Sequence, residues 1–386
     1  MRLSKPTDAA RWWGGQGVPS EPIYNRQSFE KDGKHVFWGG LTLAAENEGV
    51  GLFDMELEAF ERLGGQIRYT AGVTGLLTTD GRVTGVQVGD EHLTADAVIL
   101  ACGGFEASEA QRVARMGPDW APAKVRGTPH NTGDGLDMAA AFGAQTYGSF
   151  AGCHATPMDL HMKDFGNLDL PPKERKNYRK ICYFLGIMLN ARGDRFVDEG
   201  INFRNYTYAQ FGRAVLEQPG HFAWQLFDAK VDDLLYAEYR FEDASFVQAD
   251  TLDDLIAQLT GVNSDAAMQT VKEFNAAVDD GVPFDPTVLD GKSTRGLPLN
   301  KSNWAQKLDT PPFKAFPVTG GITFTYGGLK LDATGAVVHE DGHAIPGLYA
   351  CGELVGGVFF GGYPGGSGLT SGTVFGRRAG VGAARS

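Results

Sequence analysis

Apolar and polar positions alternate along this chain in two rhythms. Between residues 41 and 64, Leu41, Leu43, Leu52, Met55, Leu57, Phe60 and Leu63 recur at roughly helical spacing. The spacing predicts one helix, with Gly64-Gly65 as its stop. Gln66–Tyr69 reads as a short strand. Val73–Thr78 and Arg82–Val88 are two β-rich runs around Asp80-Gly81, a strong hairpin signal. Thr94–Ala101 holds a near-continuous apolar run, Ala97 to Leu100, as expected of a strand buried on both faces of a parallel sheet. Residues 107–116 and 134–143 read as helices.

From about 145 the pattern changes. Short β runs at 187–190 and 223–228 mix with helical stretches at 209–217, 251–260 and 264–278 and with long polar loops. From 329 the β rhythm returns at 328–331, 336–338 and 348–350, followed by glycines and a final helix from about 369 to 384. This predicts an α/β fold with an α+β insertion: 1–145, an inserted unit at 146–325, and a return at 326–386.

Composition changes the picture at glycine, which supplies 53 of 386 residues, about 14% against an ordinary 7% or so. The glycines follow no triplet repeat and lack the serine of a linker. They mark tight turns and close backbone approach, as in a protein wrapped around a large ligand. The net charge of −12 argues against a nucleic-acid partner. One basic run, Lys173, Arg175, Lys176, Arg179, Lys180, stands against that background; it is either a solvated loop or a patch for an anionic substrate or partner. Cys102, Cys153, Cys182 and Cys351 have no metal-ligand spacing and read as small buried hydrophobes of a reducing compartment. No signal segment or apolar membrane span is visible, and the expected location is cytoplasmic.

Two glycine-rich elements carry candidate chemistry. Between Gly347 and Gly380 a strand ends at Ala350, Gly352-Glu353 follows, and a helix opens near Leu369, with Ser367 and Thr370 available as caps. The unpaired N–H groups of a helix start can hold an anion or an electron-rich ring oxygen, and a carboxylate at a strand end can accept from polyol hydroxyls. The second element is Thr132-Gly133-Asp134-Gly135, where Asp134 is either a plain N-cap or part of a helix start facing a cofactor.

The TGDG element, the VILACGGFE strand at 98–106 and the GLYACGE…YPGGSGLTSG…GRRAG tail resemble flavoproteins of the fumarate reductase, succinate dehydrogenase and 3-ketosteroid dehydrogenase superfamily. The blocks RFVDEGINFRNYTYAQFGR (195–213), AWQLFDAKV (223–231), KSNWAQKLDTPPF (301–313) and GITFTYGGL (321–329) resemble FAD-dependent tricarballylate dehydrogenase and its relatives. The resemblance implies a Rossmann-like FAD-binding domain with an inserted substrate-capping domain. It implies FAD held by Val73, Gly103, Gly104, Thr132, Gly133, Asp134, Gly352, Glu353, Ser367, Gly368, Leu369 and Thr370. It implies dehydrogenation of a small polycarboxylate, with hydride transfer to the flavin and a separate electron-acceptor protein.

The same resemblance implies Arg204 as the catalytic arginine, either an unusual base or a bidentate carboxylate clamp. It makes His154 a substrate-binding histidine, whereas a lone His among small residues otherwise reads as a hydrogen-bonded core residue. Tyr206 and Tyr208 flank the arginine at alternate positions, to donate to a carboxylate or to pack. Tyr363 stands where relatives carry a substrate-binding residue. One departure is the missing strand–GxGxxG–helix unit, so the chain is expected to lack the first βαβ unit of its FAD-binding domain and to bind FAD weakly or not at all. An enone or ketosteroid-type flavin enzyme, or an inactive remnant, are the alternative readings.

Overall fold

A computed structural model describes residues 6–37 and 40–386. Its centre is a 13-residue strand, Phe313–Thr325. This strand pairs antiparallel with Cys153–Asp159 along its second half and with Phe222–Phe227 along its first. Ile187–Leu189 adds to Phe222–Phe227, while Val247–Ala249 and Lys124–Val125 complete six strands. Sequence patterning did not announce the central strand, because Pro317, Gly320 and Gly321 read as breakers. Pro317 nevertheless lies in register opposite Trp224, and its carbonyl accepts the Leu160 N–H.

Period-two alternation explains why this sheet is covered on both sides. Trp224, Leu226, Phe313 and Ala315 point to one face and pack with Leu255, Ile256, Val271 and Phe274 of the helices Leu252–Ala257 and Ser264–Ala277. Ala223, Phe227, Phe316 and Val318 point to the other and pack with Tyr208, Phe211 and Val215 of the helix Arg204–Leu216. That helix lies unusually close to the sheet. A Cβ on Gly212 would sit 2.5 Å from the Ala155 carbonyl carbon, and one on Gly320 would sit 2.3 Å from the Gly212 oxygen.

A second core surrounds a three-stranded sheet. Val98–Leu100 runs parallel to Ala344–Ala350, which pairs antiparallel with Ala336–Val338. Leu100, Phe105, Leu136, Ile345 and Leu348 fill it. The parallel pairing matches expectation, but burial on both faces does not: Ile99 is 39% exposed and lines an open cavity. The Asp80-Gly81 hairpin is present, both residues having positive φ, and a third strand, Glu91–Thr94, extends it. The predicted strand from 94 to 101 is thus two strands broken at 95–97.

The helix expected from 41 begins only at Glu48. Asn47 takes a left-handed conformation at φ 58°, and Leu43–Ala45 pairs as a strand with Ser20–Pro22. Gln66–Tyr69 forms no strand. Cys153 and Cys182 are buried as expected; Cys102 is exposed and Cys351 only half-buried. No helix among the described residues is long and apolar enough to cross a membrane.

Candidate functional site

The helix 204–216 and the strand 153–159 bring the first group of residues together. Arg204 and Tyr208, four residues apart, share the buried face of the helix. Tyr208 meets His154 edge-on, with ring centroids 4.8 Å apart, and Tyr363 meets the same imidazole at 4.5 Å. Tyr206 points away, at 49% exposed. Of the two tyrosines flanking the arginine, Tyr208 is therefore the one at the histidine. The choice follows from helical phase, since two residues along a helix are about 200° around its axis.

His154 is buried, and its Nδ1 has no hydrogen-bond partner among the described residues. Burial, then the positive charge of Arg126 and Arg179, holds it well below its ordinary pKa and so neutral. Four guanidinium groups surround this centre. Arg204 donates to the Arg26 carbonyl at 2.9 Å and lies 5.5 Å over each of the Tyr208 and Tyr236 rings. Burial opposes its charge, but the phenol oxygens of Tyr236, Tyr183 and Tyr208 more than offset that and move its pKa upward. Arg126 donates to Thr323 Oγ1 at 2.7 Å and feels Tyr208, Tyr363, Arg26 and Glu238. Arg179 donates to Glu238 Oε1 at 2.6 Å, and burial, aided by Arg126, lowers its pKa to about 10. Arg26 pairs with Glu48.

Arg26 and Arg126 carried no signal in the sequence. Arg179 belonged to the basic run, and the solvated-loop reading fails for it and for Lys180. Both are buried, and Lys180 lies 3.5 Å from Asp159 Oδ2 while donating to the Glu238 carbonyl at 2.6 Å.

The second group lies at the C-terminal ends of the parallel strands 98–100 and 344–350, the crevice where open α/β sheets bind ligands. Gly103 follows one strand at φ 77° and Gly352 the other at φ 73°. Gly104 passes so near Glu353 that an added Cβ would lie 2.2 Å from its Oε1 and 2.1 Å from Thr325 Oγ1. Glu353 accepts from Thr325 N at 2.6 Å and from its Oγ1 at 2.9 Å. Glu106, missed in the sequence, is buried beside it; Asn131 donates to one of its oxygens at 2.6 Å, and its carboxyl shares a hydrogen bond with that of Glu353. Burial first, then their mutual repulsion, holds the Glu353 carboxyl well above the usual range, and burial lifts Glu106.

Gly133 is bound to this crevice by its N–H to the Gly104 carbonyl, 3.0 Å. It caps the helix Asp134–Ala141 at φ 91°, so Asp134 is the first helical residue rather than the N-cap. Thr132 Oγ1 donates to Asp134 at 2.9 Å. The helix Ser367–Ala383 is likewise capped by Gly366 at φ 81° with no side-chain cap. Ser367 and Thr370 instead donate to the Pro364 and Gly366 carbonyls; the Ser367 N–H also goes to the Pro364 carbonyl and the Gly368 N–H to the Tyr363 hydroxyl. Tyr363 bridges the two groups: an added Cβ on Gly368 would meet its hydroxyl at 2.0 Å, and burial raises its pKa to about 12. Gly352, Gly368 and Leu369 line a cavity of about 480 Å³ with Tyr363 and Phe324; Val73, Thr132 and Asp134 line another of about 860 Å³.

Left-handed glycines, two helix starts capped by glycine and the Gly104 backbone pressed against Glu353 fit a large polar cofactor laid along this crevice. Among metal-ligating residues, the described structure also groups His339, Asp341 and His343, in the turn between the strands 336–338 and 344–350.

An α/β sheet with such a crevice defines a nucleotide-cofactor protein, and the family is identifiable. The family described as an FAD binding domain matches residues 32–369, and this chain belongs to it; FAD is its cofactor. Over 324 residues the chain is 31% identical to a fumarate reductase (cytochrome) of Shewanella frigidimarina, covering 82% of this chain and 51% of that protein. Over 341 residues it is 32% identical to a 4-oxocyclohex-2-ene-1-carboxylate 5-dehydrogenase of Sinomonas cyclohexanicum, covering 79% and 54%. Its fold superposes on the open conformation of a flavocytochrome c3 fumarate reductase with a TM-score of 0.70 and 25% identity, covering 98% of this chain and 62% of that one. The chain thus spans about half the length of these curated relatives.

Proposed function

We propose that this chain is the flavin-binding and substrate-binding part of an oxidoreductase acting on the CH–CH bond of a small polycarboxylate, of the tricarballylate to cis-aconitate type. We further propose that residues 146–325 cap the substrate over an FAD-binding part made of 1–145 and 326–386, and that a separate protein in the cytoplasm takes the electrons. The observation that carries the reading is the convergence of Arg26, Arg126, Arg179 and Arg204 on a neutral His154, with Glu48 and Glu238 the carboxylates paired to them. Such a site has a cation excess suited to a dianion or trianion, and guanidinium forks match carboxylates bidentately.

FAD, when bound, accepts the two electrons removed from the substrate. Arg204 remains cationic and clamps a carboxylate, so it is the clamp rather than the base. Arg126 holds a second carboxylate. His154 Nδ1 takes the substrate proton: a carboxylate bound beside the imidazole restores the basicity that the arginines and burial remove. Tyr208 and Tyr363 fix the imidazole plane from two sides.

A second reading has its own support. Phe324, Phe359 and Tyr363 form an aromatic wall beside His154, with centroids 4.7 to 5.5 Å apart, which favours a ring-bearing oxo-carboxylate such as the one named for the Sinomonas relative. Turnover of tricarballylate, succinate and a cyclohexenone carboxylate with an artificial dye acceptor separates the two. Arg204→Ala is expected to abolish turnover of every carboxylate; full activity of that variant refutes the clamp, and turnover of none of the three by the wild type refutes both readings.

A further inference from the structure

The basic run flagged in the sequence divides in the structure. Arg179 and Lys180 turn inward, as described. Lys173 reaches outward to Asp54 at 2.6 Å. Arg175 donates to the Leu170 carbonyl at 3.0 Å, and Lys176 lies at the surface beside Asp243. With Arg126, His130 and Asn177 they line a cavity of about 760 Å³, and no aspartate or glutamate is among its lining residues. Met158 and Phe165 supply apolar wall.

Two observations make this cavity more than a dent in the surface. Arg126 stands in its wall and belongs equally to the His154 centre, donating on that side to Thr323 and lying within electrostatic reach of Tyr208 and Tyr363. Pro129 and His130 are shared with the 860 Å³ cavity at the cofactor crevice. The space therefore touches the substrate centre on one side and the cofactor side on the other. The Lys176–Asp243 pair, at 2.9 Å and with both side chains 40% or more exposed, is too solvated to cancel the lysine charge. Charge of one sign between low-dielectric walls focuses the potential and raises the local concentration of counter-ions.

We propose that this cavity is an anion subsite, an antechamber that captures a small carboxylate and passes it to Arg126 and the His154–Arg204 centre. The proposal rests on the carboxylate reading above. Arg175 and Lys176 touch no reacting atom in this scheme, so they govern capture and not turnover.

The test begins with calorimetric titration of the protein with tricarballylate. Absence of binding by the wild type fails the carboxylate reading, and this proposal with it. Given binding, Arg175→Gln/Lys176→Gln is compared with Lys163→Gln/Lys173→Gln, which removes the same charge from exposed positions outside the cavity. Turnover of tricarballylate with a dye acceptor is followed from low to physiological salt. The cavity variant is expected to lose about tenfold in kcat/KM at low salt, to keep kcat within about twofold, and to lose most of the wild type's salt dependence. The outer variant is expected to behave as wild type. Equal losses in the two variants overturn the proposal, as does an unchanged kcat/KM and salt slope in the cavity variant, or a loss confined to kcat.

Discussion

The block that most distinguishes this sequence, Arg195-Phe196-Val197-Asp198-Glu199, is expected to act through stability. Arg195 and Glu199 form a two-pronged ion pair, Nη2 to Oε2 at 2.5 Å and Nε to Oε1 at 3.1 Å, with side chains 4% and 0% exposed. Glu199 Oε1 also accepts the Met188 N–H at 2.8 Å, at the edge of the six-stranded sheet. Arg195 further donates to the Leu299 carbonyl at 2.7 Å and lies 5.2 Å over the Phe274 ring. Glu199→Ala strands a buried cation, about 3–5 kcal/mol, and a buried amide, about 1 kcal/mol more. Glu199→Gln keeps an acceptor for Met188 and loses only the charge, so about 2–3 kcal/mol is expected. At about 2.1 cal/mol/K per residue, this length gives a melting entropy near 0.8 kcal/mol/K, so the alanine variant should melt about 5–7 °C lower. Urea unfolding followed by circular dichroism and tryptophan fluorescence measures the ordering. Replacing both residues by apolar ones of similar volume should recover much of the loss, because the desolvation of both charges disappears with them. An alanine variant within about 1 kcal/mol of wild type, or a double variant that simply sums the single losses, refutes the reasoning.

Lys301 supplies a pH signature of the same region. Its buried ammonium donates to the Phe184 and Gly186 carbonyls at 2.8 and 2.7 Å, and burial lowers its pKa to about 8 from 10.5. Above pH 8 the unfolded chain binds more protons at this lysine than the folded one, so the Lys301 contribution to stability should rise toward pH 10.5, by at most about 1.4 kcal/mol per unit; burial raises the Cys153 and Cys182 thiols, whose contribution falls over the same range, so the rise is read as the change with pH in the urea-unfolding difference between wild type and Lys301→Met. Gly104→Ala drives a Cβ into Glu353 and Thr325 and should lower bound flavin at least tenfold by absorbance of the purified protein, whereas Gly127→Ala, with nothing within 4 Å, should leave it unchanged. Tyr208→Ala should lower kcat/KM tenfold or more by removing the ring that meets His154, and Tyr206→Ala should change it less than about twofold; the reverse order would remove Tyr208 from the site.

What the sequence made legible was local. The Asp80-Gly81 hairpin, the Gly133 and Gly366 helix starts and the Gly103-Gly104 turn each depend on residues within a few positions of one another, and glycine reports directly where backbone must be left-handed or closely approached. The glycine turns of that crevice were therefore readable from short words. The arginine–histidine cluster was not, because its members come from segments with no common spacing. Arg126 follows a two-residue strand, Arg179 sits in a loop, Arg204 opens a helix, and Arg26 lies in a four-residue helical turn. An arginine in any of these places has the same local appearance as a solvated one. What distinguishes them is the 13-residue strand 313–325. It pairs with 124–125 to set Arg126 and with 153–159 to set His154, and through Gly320 against Gly212 it admits the helix carrying Arg204 and Tyr208. That strand is the element that Pro317 and the paired glycines concealed. The features that hid it are also the ones the site needs, because only glycine at 320 and 212 lets a helix approach closely enough for Tyr208 to reach His154. A side chain at either position would therefore displace the helix and separate the arginine and the histidine together, so the missed strand and the missed site have a single physical origin.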